Sequence, residues 1–77
     1  MATKYHIGDM FRVPRKKLIA VIVKAENYGE YNMDCYSLQY LDLETHEATT
    51  SHYGYHNSWW KNHEIEKTFK PIRVFGM

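Results

Sequence analysis

Four of the five histidines fall at positions 46–63 and are the first candidates for chemistry in this chain. His46, His52, His56 and His63 follow the spacing His-x5-His-x3-His-x6-His, and a neutral imidazole is a common metal ligand. Structural zinc sites usually include cysteine thiolates, and the chain has a single cysteine. His52 and His56 meet only if Gly54 reverses the chain. The pattern is more typical of surface histidines, so we predict no metal and no cofactor.

Cys35 is the one residue that could act as a thiol nucleophile. Such a thiol needs a neighbouring base or a positive environment that stabilises its thiolate. Asp34 precedes it directly, and neither a helix start nor a Gly-rich turn lies beside it. Phosphate-binding loops, paired-carboxylate motifs and nucleophile elbows are all missing from the sequence. We therefore predict that the protein is not an enzyme and that Cys35 is a small, partly buried side chain.

Aromatic residues are the most unusual group: seven Tyr, two Trp and three Phe in 77 residues. Two adjacent tryptophans cannot both enter a thin core from a strand, and on a helix they point about 100° apart. We expect one of them in the core and the other at least partly outside. The candidate rings for an aromatic surface are Tyr28, Tyr31, Tyr53, Tyr55, Trp59 and Trp60, and we expect core packing to explain more than half of them. An outward Trp ringed by Tyr is typical of a binding hot spot or a subunit interface. The predicted partner-binding residues are Tyr53, Tyr55, Trp59 and Trp60.

A basic cluster, Arg12, Arg15, Lys16 and Lys17, offers an alternative site. Basic side chains beside aromatic rings suit single-stranded nucleic acid, where bases stack and charge follows the backbone. The chain carries ten Lys and Arg against nine Asp and Glu, a formal net charge of +1. This near-neutral balance argues against nucleic-acid binding driven by net charge, and it favours a solubilising role for the basic loop. A local basic patch is compatible with it.

Length and composition predict a single domain over residues 1–77 with a frayed start at 1–6. A chain of this size buries about 60% of its unfolded surface, so it works through its surface or by assembling with copies of itself. The lone cysteine and the lack of an apolar leader predict a cytoplasmic protein. The longest apolar run, Leu18 to Val23, is too short to span a bilayer, so we expect no membrane association.

Period-two patterns then predict the elements that position these residues. Leu18 to Ala25 carries apolar residues on both faces, which indicates a strand covered on both sides or curled within a barrel. Glu26 to Asn32 has loop chemistry. The stretch Met33 to Tyr53 predicts a hairpin whose first strand has a core row of Tyr36, Leu38 and Tyr40. The other predicted strands are Met10–Val13, Ala48–Tyr53 and Ile72–Phe75.

Three local signals refine this prediction. Ile7-Gly8-Asp9 predicts a turn in which Gly8 takes positive φ. Leu41 breaks the alternation after Tyr40, which predicts a β-bulge there or a strand end covered on its second side. Ser58 is a potential cap for a short helix over Trp59 to Lys67, with Ile65 and Phe69 as its anchors and Lys70-Pro71 as its stop.

This layout resembles the Src-homology-3-like small barrels, which include KOW, Tudor and small phage-encoded barrels. The similar stretches are Ile7-Gly8-Asp9-Met10-Phe11-Arg12-Val13, Leu18 to Val23, Tyr36-Ser37-Leu38-Gln39-Tyr40-Leu41-Asp42, and Ser58 to Lys67. The resemblance implies a mainly β fold: a small five-stranded antiparallel barrel with one short helix or helical turn before the last strand. It also implies a tendency to bind protein or nucleic acid.

Together these patterns predict a non-enzymatic interaction module that binds a protein partner, or a copy of itself, through its aromatic face. The resemblance suggests a phage or microbial accessory protein that modulates a larger complex. The alternative is a nucleic-acid-binding module that uses the edge from Arg12 to Lys17 together with neighbouring aromatic rings.

Overall fold

The computed structural model describes residues 3–50 and 55–72. Over these residues the fold is mainly β, as predicted, with one short helix near the end. All strand pairs are antiparallel, in the order β4-β3-β2-β1-β6, and β5 pairs with β3. The elements are β1 (Met10–Arg12), β2 (Leu18–Tyr28), β3 (Met33–Asp42), β4 (Ala48–Thr49), β5 (Trp60–Lys61), α1 (Asn62–Thr68) and β6 (Lys70–Pro71).

The sheet has six strands rather than the predicted five, and it does not close within the described ranges. A closed barrel of the Src-homology-3-like kind therefore stays a prediction. The helix still precedes the last strand as expected. Among the residues that the structure describes, no helix is long and apolar enough to cross a membrane.

The long hairpin of β2 and β3 is the scaffold of the fold. Its register runs from Leu18 opposite Asp42 to Tyr28 opposite Met33, so β2 extends three residues beyond the predicted end at Ala25. The predicted loop from Glu26 to Asn32 is therefore wrong in its first half, because cross-strand pairing overrides the weak strand propensity of Glu26 and its neighbour. Only residues 29–32 form the turn.

A β-bulge lies in β2 of this hairpin. At Leu41 of β3, where the sequence predicts a bulge or a strand end covered on its second side, the pairing with β2 is regular, so there is no bulge at that position. Ile22 pairs with Leu38 whereas Lys24 pairs with Ser37, so Val23 is the extra residue. The bulge shifts the alternation of β2 by one residue, as an inserted residue must. The side of the hairpin opposite the core, here called the outer face, consequently carries Lys24, Glu26 and Tyr28 beyond the bulge.

The core lies on one side of the curled sheet. The predicted row of Tyr36, Leu38 and Tyr40 is fully buried there, and Ile65 and Phe69 anchor α1 against it as expected. The second face of β2 is not fully covered, contrary to expectation, since Val23 is 44% exposed. The buried cluster consists of Phe11, Val13, Leu18, Ala20, Ile22, Tyr36, Leu38, Tyr40, Trp60, Ile65 and Phe69.

The segment before β1 is held against the hairpin. Gly8 takes φ of 97°, which confirms the predicted turn, and its N–H donates to the Ile22 carbonyl at 2.8 Å. Lys4 N–H donates to the Asp34 carboxylate at 3.1 Å, and Tyr5 N–H donates to the Tyr36 hydroxyl at 3.1 Å. Residues 1 and 2 lie outside the described ranges, so a frayed start over 1–6 stays a prediction.

The helix begins later than predicted. Lys61 is its N-cap residue, and its N–H donates to Glu64 Oε1 at 3.0 Å, so Ser58 does not cap it. Trp60–Lys61 is instead the short strand β5. Likewise, β6 ends at Pro71, before the predicted strand Ile72–Phe75, of which only the first residue is described. β4 covers Ala48–Thr49, and residues 51–53 of its predicted range lie outside the described residues.

Candidate partner-binding site

Trp59 is the exposed tryptophan and Trp60 the buried one, as the adjacency of the two residues predicts. Trp60 is 5% exposed and pairs with Tyr36 across β5 and β3, whereas Trp59 is 58% exposed. The backbone of Trp59 has φ of 67°, in the left-handed region that bulky residues seldom occupy. Residues held in such conformations persist only where the surrounding structure fixes them, and they are frequent at functional sites.

The segment just before Trp59 is fixed to the core by hydrogen bonds. The His56 carbonyl accepts from the Tyr40 hydroxyl at 2.8 Å and from Trp60 Nε1 at 2.7 Å. Asn57 pairs with Leu38 through its own carbonyl and its side-chain amide, both at 2.6 Å. Burial raises the pKa of Tyr40, which keeps its hydroxyl protonated as a donor. Because these bonds fix the residues just before Trp59, its backbone has little freedom to leave the left-handed conformation.

The Trp59 ring stacks on Tyr28 of the outer face. Their centroids are 5.5 Å apart and the planes differ by 13°, a parallel arrangement. The Tyr28 hydroxyl donates to Glu26 Oε2 at 3.0 Å, and Lys24 Nζ lies 3.0 Å from Glu26 Oε1. Hydrogen bonds from Lys24 and Tyr28 lower the pKa of Glu26, so it stays ionised as their common acceptor. The carboxylate thus orients the tyrosine on which Trp59 rests.

A pocket of about 250 Å³ opens beside these two rings. It lies on the outer face of the hairpin, and small hydroxyl and thiol side chains of Ser37, Ser58 and Cys35 line it between the larger side chains. We call the two rings and this pocket the Trp59–Tyr28 surface. Its full lining is Lys24, Glu26, Tyr28, Cys35, Tyr36, Ser37, Ser58 and Trp59.

Cys35 is a wall of this pocket and is 6% exposed. In the strand register it lies opposite Glu26 of β2 and Lys61 of β5. Burial of this side chain agrees with the prediction of a small, partly buried thiol.

The predicted partner-binding residues that the structure describes, Tyr55, Trp59 and Trp60, do not form one surface. Tyr53 lies outside the described residues. Tyr55 is half-buried, with its ring 6.1 Å from Tyr40 and 5.9 Å from Phe69, and so packs on the core. Trp60 is also a core residue, which corrects its assignment to the binding face, because its side chain fills the space over Tyr36 and Phe69. Of the three that the structure describes, Trp59 alone is mostly exposed.

Sequence reasoning named Tyr28 only as a candidate, gave Ser58 a helix-capping role, and did not assign Lys24, Glu26 or Ser37 to this surface. The loop assigned from Glu26 onward hid the spacing Lys24-x-Glu26-x-Tyr28, which is an alternating strand row. Reading that row as strand would have placed all three side chains on one face.

Three of the four candidate histidines lie within the described residues, in separate parts of the fold. Within residues 3–50 and 55–72, no group of three or more His, Cys, Asp or Glu residues could hold a metal ion. His56 stacks on Trp60 with ring centroids 4.5 Å apart, whereas His46 and His63 are exposed in a turn and on α1. His52 lies outside the described residues.

The basic residues of the alternative site are exposed at the opposite end of β2. Arg12 lies opposite Lys70 of β6, and Arg15, Lys16 and Lys17 occupy the turn between β1 and β2. The eleven residues of β2 separate this turn from Tyr28 by roughly 30 Å. The structure therefore does not bring the basic edge next to the Trp59–Tyr28 surface.

Comparison of the chain with protein-family models, with curated proteins and with solved structures finds no match.

Proposed function

We propose that the protein is a non-enzymatic β-sheet module that binds a protein partner through the Trp59–Tyr28 surface. The observation that supports this most is the state of Trp59: 58% exposed, held at φ of 67° and stacked on Tyr28. An exposed indole at positive φ leaves apolar surface in water and strains the backbone, and it adds nothing to the core. A rigid, pre-oriented aromatic residue lowers the entropy lost on binding, which gives the arrangement a use.

The dimensions and chemistry of the surface favour a protein over a small molecule. Its pocket of about 250 Å³ is smaller than the roughly 300–1,000 Å³ of ordinary ligand pockets, so it fits one side chain of a partner. Trp and Tyr are the residue types enriched in hot spots. The charged pair of Lys24 and Glu26 beside the rings supplies the polar rim that surrounds such a centre.

The test compares Trp59→Ala with Tyr31→Ala in the whole chain. Tyr31 is 72% exposed in the turn after β2, so it is a matched aromatic control outside the surface. Partners are isolated with the unmodified chain and identified by mass spectrometry, and each affinity is then measured by calorimetry with purified components. We expect Trp59→Ala to weaken binding at least tenfold and Tyr31→Ala to leave it within twofold. Equal affinities for both variants would refute the proposal.

The basic edge supports a second candidate, binding of single-stranded nucleic acid. Arg12, Arg15, Lys16, Lys17 and the neighbouring Lys70 are all exposed at one end of the sheet. Such binding depends on counterion release, so the logarithm of affinity falls steeply as salt rises. Titration of a labelled oligonucleotide at several salt concentrations checks this. A paired substitution of Arg15 and Lys16 by Gln should reduce the salt slope, whereas Trp59→Ala should leave it unchanged.

A further inference from the structure

The far half of β2 has a neighbour on only one side. On the β1 side, pairing covers Ile19 to Val21, and the next residue, Ile22, exchanges backbone hydrogen bonds with Gly8 and Asp9 at 2.8 and 3.0 Å. Beyond Ile22, no described strand pairs with β2 on this side. The open stretch runs from Val23 to Tyr28, and β3 continues along its other side.

The register shows which backbone groups this edge presents. The N–H and C=O of alternate residues in an antiparallel strand point to opposite neighbours. Leu38 N–H donates to the Asn57 carbonyl, on the side of β3 away from β2, and the backbone groups of Tyr36, two residues earlier, point the same way. Ala25, opposite Tyr36, therefore directs its own N–H and C=O away from β3. Asn27, two residues on, does the same. Within the described parts of the chain these groups have no backbone hydrogen-bond partner, so the edge is a template for another strand.

We propose that this edge pairs antiparallel with the same edge of a second copy of the chain, about a two-fold axis at Ala25. The open stretch of six residues has its midpoint between Ala25 and Glu26, so a two-fold axis at either residue lets two copies overlap along most of its length. An isologous contact of this kind is the commonest way in which identical chains associate.

Charge selects this register over its competitor. The backbone directions permit Ala25 opposite Ala25, or Glu26 opposite Glu26 with Ala25 opposite Asn27. The second register sets two carboxylates directly across from each other, which is unfavourable. The first sets Lys24 of each copy opposite Glu26 of the other. Each chain already joins these two side chains at 3.0 Å, so the axis would be flanked by alternating charges.

The same pair explains why the edge is selective. A lysine and a bulge on an edge strand normally oppose pairing with other chains. Here Lys24 repels a strand that presents a cation at its position and accepts one that presents an anion. Among edges of identical sequence, the register centred on Ala25 satisfies this requirement. Because the sheet continues across the axis, both Trp59–Tyr28 surfaces would lie on the same side of the dimer.

Charge reversal tests the pairing. Sedimentation equilibrium over a range of concentrations measures the dimer dissociation constant of the unmodified chain, of Glu26→Lys, of Lys24→Glu and of the double swap. We expect each single variant to raise this constant at least tenfold, because like charges then oppose each other across the axis. The double swap should restore it, and an equimolar mixture of the two single variants should form a heterodimer.

A second measurement reports the backbone groups directly. The amides of Ala25 and Asn27 should exchange hydrogen quickly at low concentration, and that of Ala25 should become protected as the dimer forms. Circular dichroism confirms that the charge variants are folded. A monomer at all concentrations, a dimer unaffected by Glu26→Lys, or an edge occupied only by a partner protein would overturn the proposal. Trp59→Ala should leave the dimer intact, which separates the edge contact from partner binding at the Trp59 ring.

Discussion

The two faces of the β2–β3 hairpin each carry a network around one carboxylate, and the networks differ in what they connect. On the core side, Asp34 accepts hydrogen bonds from Asn27, Asn62 and Lys4, which belong to β2, α1 and the segment before β1. On the outer face, Glu26 has its partners two residues away on its own strand. The first network joins distant parts of the chain and stabilises the fold, whereas the second arranges a surface.

The adjacent tryptophans show the same contrast. Trp60 contributes its ring to the core and its indole N–H to the His56 carbonyl, which completes the hydrogen bonding of a buried group. Trp59 is exposed and contacts one ring of the outer face. Neighbours in sequence thus serve the fold and the surface separately, and substitutions should divide along the same line.

The largest expected effect is the loss of Trp60. Trp60→Ala removes a buried indole and leaves a cavity, which should lower the free energy of unfolding by about 3–5 kcal/mol. Trp59→Ala should change it by no more than about 1 kcal/mol, since the ring is mostly exposed. Urea denaturation followed by circular dichroism measures both. Similar losses for the two variants would mean that the faces are not distinct.

The next effect concerns the tyrosine hydroxyls of the two faces. Tyr36 donates to Asn62 Oδ1 at 2.5 Å and accepts from Tyr5 N–H, so Tyr36→Phe leaves these two partly buried groups without the hydroxyl that they bind. We expect a loss of about 1–2 kcal/mol. Tyr28→Phe, the matched control on the outer face, should stay within about 0.5 kcal/mol. The contrast fails if Tyr28→Phe destabilises the protein as much as Tyr36→Phe does.

Sequence reasoning succeeded where one face of an element is buried. Tyr36, Leu38 and Tyr40 alternate without interruption, and Ile65 and Phe69 are one helical turn apart, so periodicity revealed both. The outer face follows no such pattern, because polar side chains satisfy a strand and a loop equally well. Leu41 breaks the alternation in β3, which predicted a bulge there or a strand end covered on its second side; the bulge of the hairpin is not at that position. It lies at Val23, where an apolar run conceals an extra residue.

The backbone of Trp59 offers a smaller and more specific test. Glycine adopts φ near 67° without the clash that a Cβ causes, whereas alanine retains it. Trp59→Gly should therefore be about 1 kcal/mol more stable than Trp59→Ala. Both variants should lose partner binding, because both lack the ring. Thermal unfolding of the pair measures the difference. An alanine variant as stable as the glycine variant would show that the position carries no backbone strain.

The smallest expected effect is on the free energy of unfolding at acid pH, where the carboxylates of Asp34 and Glu26 can be compared directly. Hydrogen bonds from Asn27 and Asn62 lower the pKa of Asp34 below its ordinary value of 3.8. A carboxyl group whose pKa is lower in the folded state than in the unfolded state stabilises the fold. This stabilisation is complete at a pH above the unfolded-state pKa and is lost as the pH falls through the folded-state pKa. Asp34→Asn should thus flatten the decline in stability below about pH 4, as measured by urea denaturation at a series of pH values.

Glu26→Gln is the matched control for this last comparison. The pKa of Glu26 is also lowered, but its partners Lys24 and Tyr28 are close in sequence and remain near it when the chain unfolds. A contact that partly survives unfolding contributes less to the difference between the two states. Glu26→Gln should therefore flatten the acid decline less than Asp34→Asn does. The opposite order would place the stabilising network on the outer face and reverse the division between fold and surface.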